Sequence, residues 1–362
     1  MSKIHDLAGA TLEGVNLEAD THYINGILRF CTLRRADNVT VGKGIVIVTG
    51  PATGLEVSSS ANFLADGVTV TCDEGVVPVD AHYGISMRGC TNAKVINSII
   101  QRARMGICFM ECDGIEATRN DIYGCGEDGI RAFGCQNGLI AENEIHDFCD
   151  DDEALGSKEG AHRDGIQIAP FYTGEGNKNL VVRDNLFYVG KGVEFTPIFH
   201  RTYGKPEGAE NPKQPDGVNV DIIDNLCFTQ GGAAITQHGN GKLIGNLAVG
   251  YDGPAWANPH SRTKHAIGKV NLTRFTGTAE NNQAEHFYYR DAAGDTYRKG
   301  WMPEGAGNEL VEPYTLEQIE AAIADWRARF RAPPLPEGLS TAVLDFLDAR
   351  YGRKASMRAA GT

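Results

Sequence analysis

The sequence contains no run of about 18 apolar residues, so no segment of it reads as a membrane-spanning helix. It also lacks an excess of basic charge. Lys and Arg number 34 against 47 Asp and Glu, a formal net charge of −13. Phosphate contacts need a basic face, so a general nucleic-acid binder is not expected, although a local basic cleft for an acidic sugar remains compatible. The opening stretch, MSKIHDLAGATLEG, has no apolar core of a secretory signal, so export by that route is not expected. The nine cysteines lack zinc-site spacing. The C-x3-C at Cys108 and Cys112 has no paired histidines, and an odd count without an export signal points to reduced, buried thiols. The remaining composition is globular: 362 residues, 41% apolar, 22% charged, with 44 glycines marking many tight turns.

What the chain does have is an internal repeat. GISMRGC (84–90), GICFMEC (106–112) and GIRAFGC (129–135) begin 22 and 23 residues apart. Each is followed by an Asn-centred apolar stretch, at Asn97, Asn120 and Asn143. The same two-part unit returns with Asn185, Asn225 and Asn246, and more weakly at Asn281 or Asn282. The Gly-Ile segments alternate, so Ile85 and Met87 face one way and Ser86 the other. Asn before a short apolar pair marks a turn with unusual backbone angles. One such unit cannot bury its apolar side alone, and stacking copies builds a continuous core. The L-x-x-L-x-L pattern of leucine-rich repeats is absent.

Over roughly residues 25–290 this arrangement resembles the right-handed parallel β-helix superfamily, which includes pectate-lyase-like enzymes and phage tailspike proteins. The resemblance implies an all-β fold, a right-handed parallel β-helix solenoid. The expected organisation is an entry segment over 1–24, the solenoid over 25–300 and a short helical C-terminal arm over 301–362. In the arm, Leu316, Ile319, Ile323, Trp326 and Phe330 make one apolar helix stripe behind a Thr315/Gln318 capping box. That helix reads equally as packing on the solenoid or as a docking arm.

Stacked coils place equivalent residues about 4.8 Å apart. Cys90, Cys112 and Cys135 then form a column, either a buried thiol ladder, the plainer reading, or a pair close enough for a disulfide. Insertions at 149–164, 170–179, 197–217 and 251–265 flank the Gly-Ile sheet and leave it as the floor of a groove.

Candidate chemistry gathers on that floor. Asp128 and Asp164 both precede a Gly-Ile core and fall in register. Two carboxylates that close resist double ionisation, so one serves as an acid near neutral pH. Asp before Gly at the start of a strand is also a common turn residue, and the duplication fits a structural role equally. His162 and Lys158 lie beside Asp164 as catalytic candidates. Arg131, Gln167, Glu194 and His238 are read as outward floor residues, with Arg163 and Tyr172 beside them, as substrate-binding candidates. Compared with polygalacturonase-type β-helix hydrolases, the chain has HRDG (162–165), QHGNG (237–241) and Arg262-Thr263-Lys264, but no Asp-Asp between them on a Gly-Ile strand. No metal site is assigned. Calcium held by Asp150, Asp151, Asp152 and Glu153 is the weaker reading of a solvated acidic loop, and no other cofactor is implied.

Three functions follow. The favoured one is a virion-associated spike or fibre component, made in the host cytoplasm, that contacts surface polysaccharide and cleaves it if the Asp164 groove is active. Its partners would be polysaccharide and other virion proteins, as a homotrimer in the manner of tailspikes, with no nucleic acid and no membrane. The alternatives are a stand-alone polysaccharide lyase or glycoside hydrolase, and a purely structural solenoid.

Overall fold

The structure, a computed structural model, describes residues 3–149, 163–170, 176–190, 192–201, 218–229, 233–250, 269–273, 275–290, 297–299 and 307–330. These residues coil, and each full coil contributes three strands. One coil runs Asp128–Phe133, Gln136–Ala141 and Glu144–His146. Each strand pairs in parallel with its counterpart in the coils before and after, so Ile130 lies opposite both Ile107 and Ile166. The Gly-Ile strands form an 11-stranded floor sheet, and the other two strands of every coil join a 21-stranded sheet. The floor sheet is parallel until its last member, Tyr297–Lys299, which turns back antiparallel on His286–Arg290. Inward side chains, among them Ile85, Ile107, Ile130, Ile166 and Ile198, make one apolar core along the coils.

The recurring glycine has a steric cause. A Cβ on Gly106 would lie 2.6 Å from the carbonyl oxygen of Gly129, and one on Gly129 would lie 2.7 Å from that of Gly165. The chain runs so close to its neighbour here that a side chain at Gly106 or Gly129 would strike the backbone of the next coil. The Gly165 position faces Pro197 in the next coil at 2.6 Å.

The Asn corner is a buried ladder. The side-chain oxygen of Asn143 accepts from the backbone N–H and the amide of Asn120, at 3.0 and 2.9 Å. Asn143 donates in turn to Asn185, Asn185 to Asn225, Asn225 to Asn246, Asn246 to Asn282 and Asn282 to Asn308. No buried amide atom of these Asn side chains is left without a partner. The left-handed backbone falls on the residue before each Asn, as at Arg119 (φ 56°) and Glu142 (φ 57°). This corrects the reading of Asn97. It occupies that left-handed position at φ 52°, and Ser98 stands in the ladder, accepting nothing from Asn120 but donating its N–H to the Asn120 oxygen. Asn282, not Asn281, is the later member, and Asn308 extends the series.

All nine cysteines are free. Cys90, Cys112 and Cys135 are buried one coil apart, and the Cys90 N–H points at the Cys112 sulfur, 3.4 Å away. This is the thiol ladder, with sulfur facing backbone carbonyls such as Met110 O.

The helix Leu316–Arg329 begins at a Thr315/Gln318 capping box. Its buried stripe, Ile319, Ile323 and Trp326, packs against Leu186, Tyr188, Phe228 and Val249 on the outer side of the third strands. Trp326 Nε1 donates to Asp184 O at 2.9 Å, and Arg327 binds Glu144 and the Tyr188 hydroxyl. The described helix therefore lies along the side of the solenoid. No helix among the described residues is long and apolar enough to cross a membrane.

Candidate functional site

The outward side of the floor sheet is read column by column from its register. One column runs Ser86, Cys108, Arg131, Gln167, Phe199, Thr236, Asn271 and Tyr288. At the start of the strands, Asp128 stands opposite Asp164, and Asp164 opposite Thr196.

Each Asp binds the side chain three residues along its own strand. Arg131 Nε donates to Asp128 Oδ2 at 2.7 Å, and Gln167 Nε2 donates to Asp164 Oδ2 at 2.9 Å. The Asp164 backbone N–H donates to Asp128 Oδ1 at 3.2 Å, which ties the two coils together. Both Asp residues are fully buried. Burial pushes the Asp128 carboxyl up to about 8; Arg131 opposes this, while the Asp164 and Glu127 charges add to it. The Arg131 guanidinium is shared with Glu127 at 3.4 Å and lies 4.9 Å from the Phe133 ring centroid. The pair can thus hold a proton at neutral pH beside a second carboxyl, the arrangement an acid catalyst needs.

Of the candidates read from the sequence, Asp128, Asp164, Arg131 and Gln167 come together here. Arg163 is buried directly before Asp164, and its carbonyl accepts from Thr196 N–H at 2.9 Å. His238 lies two coils beyond Gln167, opposite Thr273 in the neighbouring column, and is half-buried. Glu194 is not on the floor. The strand in its coil is Thr196–His200, so Phe199 takes the place beside Gln167. GVEF imitates the Gly-Ile motif in sequence, while Pro197 replaces the corner glycine. Aligning Pro197-Ile198 with Gly165-Ile166 would have found Phe199. Lys158, His162 and Tyr172, with the acidic run 150–153, lie outside the described residues. Among the described residues no cluster of three His, Cys, Asp or Glu is placed to hold a metal.

A second titratable cluster lies on the opposite side, beneath the helix. His146 bonds Asp121 at 3.0 Å and Asp147 at 2.8 Å, stacked between the Tyr123 and Tyr188 rings. Burial lowers its pKa, but the bonds and charges of Asp121 and Asp147 prevail and hold it at about 9. This cluster ties the helix side together and is remote from the floor.

Residues 33–196 match the model of the right-handed β-helix region family. None of the curated proteins matches the sequence. Among solved structures, PfbA, a surface adhesin of Streptococcus pneumoniae, is similar with a TM-score of 0.53 at 11% identity, over 83% of this chain and 79% of that one. DFA-IIIase from Arthrobacter chlorophenolicus A6 is similar with a TM-score of 0.50 at 12% identity, over 87% of this chain and 85% of that one. Tailspike protein 2 of an Escherichia coli O157:H7 bacteriophage aligns at a TM-score of 0.47 and 12% identity, over 85% of this chain and 42% of that one. Together with the parallel register described above, this match over residues 33–196 shows that the chain has the right-handed parallel β-helix fold. At these identities the structural likeness establishes the fold, and function has to be argued from the site.

Proposed function

We propose that the outward floor of this solenoid is a polysaccharide-contacting surface and that Asp128 and Asp164 cleave the bound glycan. The observation that carries this is the buried in-register carboxyl pair, bound to Arg131 and Gln167 of the outward column, with Asp128 raised to about 8. Asp128 in its protonated form donates to the glycosidic oxygen, and Asp164 as carboxylate attacks the anomeric carbon. Partners one coil apart, about 4.8 Å, fit the separation of about 5–5.5 Å used by retaining glycosidases. Phe199 and Phe133 offer ring surface beside the pair, of the kind that lines sugar sites. Lys158, His162 and Tyr172 join this proposal by sequence position alone, and Arg163 and His238 as flanking groups.

The finer setting, a phage spike or fibre component that assembles with other virion proteins as a homotrimer, belongs to the same proposal. Mass spectrometry of purified virions tests it, and absence of the chain from them removes that setting without touching the glycan site.

The site itself is tested with the full chain and a panel of bacterial capsule and exopolysaccharides, following new reducing ends and the anomeric configuration of the product. Asp164→Asn and Asp128→Asn are expected to abolish cleavage with an unchanged circular dichroism spectrum. Undiminished turnover in both variants would remove the pair from the reaction.

A further inference from the structure

Among the described residues, the wall carries a buried acceptor without a hydrogen-bond partner. Gln167 is 5% exposed, and its Oε1 has no hydrogen-bond partner. The orientation of this amide is fixed by chemistry, because its Nε2 donates to the Asp164 carboxyl at 2.9 Å. The atom left over is therefore a carbonyl oxygen, which accepts and cannot donate. An unmade hydrogen bond at a buried acceptor costs about 1–3 kcal/mol, so the position favours whatever brings a donor. Along the same column, Asn271 Oδ1 is also without a partner. Between them stand Phe199 and Thr236, and neither is charged. From Gln167 to Asn271 the column crosses three coil spacings, about 14 Å.

We infer that this column selects a neutral oligosaccharide, a trisaccharide or longer, lying along the solenoid axis with hydroxyl or acetamido N–H groups turned to Gln167 and Asn271. The inference rests on the glycan reading above and narrows its substrate class. A uronate carboxylate turned to Gln167 would meet a carbonyl oxygen where it needs a donor. It would also approach the Asp164 carboxyl, on a chain whose formal net charge is −13. Arg131 does not reverse this, because Asp128 and Glu127 both bind its guanidinium. His238 sits one column aside, opposite Thr273. Phe199, in register between Gln167 and Thr236, supplies ring surface for a pyranose face.

The test is equilibrium binding by calorimetry to the full chain. The probes are a neutral hexose oligosaccharide, an N-acetylhexosamine oligosaccharide and an oligogalacturonate of matched length. The expected result is that one or both neutral probes bind at least tenfold tighter than the oligogalacturonate. Gln167→Met, which keeps the length and removes the acceptor, should weaken neutral binding about tenfold. Because Gln167 also holds Asp164, Asn271→Leu on a separate strand serves as the second variant and should weaken the same probe. Preferential oligogalacturonate binding would overturn the inference and leave the glycan reading standing. Neutral binding unaffected by both variants would also overturn it, placing the sugar elsewhere. If no probe binds and the wider polysaccharide panel is also unbound, both readings fall.

Discussion

Replacing Asn143 by Ala isolates what the buried corner ladder contributes. The Asn143 oxygen accepts from Asn120 N–H and Nδ2, and its amide donates to Ala117 O and Asn185 Oδ1. Truncation leaves Asn120 with its second amide bond, to Val95 O, and leaves Asn185 Oδ1 with the Asn143 backbone N–H. The Asn120 N–H and the Ala117 carbonyl lose these partners in a site that water does not reach. At about 1–3 kcal/mol for each buried group, the loss is about 2–6 kcal/mol before any cavity is counted. Asn137→Gly is the matched control. Asn137 belongs to a second ladder on the exposed edge, where Asn179 donates to it and it donates to Asp113. Glycine keeps its left-handed φ of 51°, and water replaces the amide, so the cost there should stay below about 1 kcal/mol. Urea denaturation of both variants, followed by circular dichroism, gives the comparison. Equal midpoints for the two would refute the claim that burial of the amide column holds the coils in register.

Three further outcomes follow from the packing and the charges. Gly129→Ala should destabilise by about 1–3 kcal/mol in the same assay, because its Cβ would meet Gly165 O at 2.7 Å and Ile145 Cγ2 at 3.2 Å. Trp326→Ala should cost about 3–5 kcal/mol and make the helix Leu316–Arg329 sensitive to protease, since it removes a buried ring and the donor to Asp184 O. His200, buried and pushed down to about 3 by desolvation and then by His238, is neutral in the fold but protonates when unfolded. Its contribution is therefore present above about pH 6.5 and lost as pH falls toward 3, and His200→Gln should flatten that acid limb in thermal melts across the window.

The coil pitch, the Asn corner and the facing of Asp128 by Asp164 were legible in the sequence because each repeats a residue type that geometry demands. Glycine recurs where a Cβ would strike the next coil, and Asn recurs where one side chain must both donate and accept. What failed to show were the exceptions to those types. Ser98 performs the hydrogen-bond role of an Asn with a smaller side chain, so the eye settles on Asn97 instead. Pro197 occupies the glycine corner, which moves Glu194 off the floor and Phe199 onto it. His200 and Gln237 point into the core at positions where the repeat has Ile and Leu, and polar residues there give no periodic signal. The helix was readable from its stripe and cap, but its seat beside Tyr188 and Asp184 depends on contacts across more than a hundred residues.

The most direct test of the account is a 13C carboxyl NMR titration of Asp128 in the full chain. The expected midpoint lies near 8 and falls when Asp164→Asn removes the facing charge. A midpoint near the ordinary aspartate value of about 4, unmoved by that substitution, would contradict it.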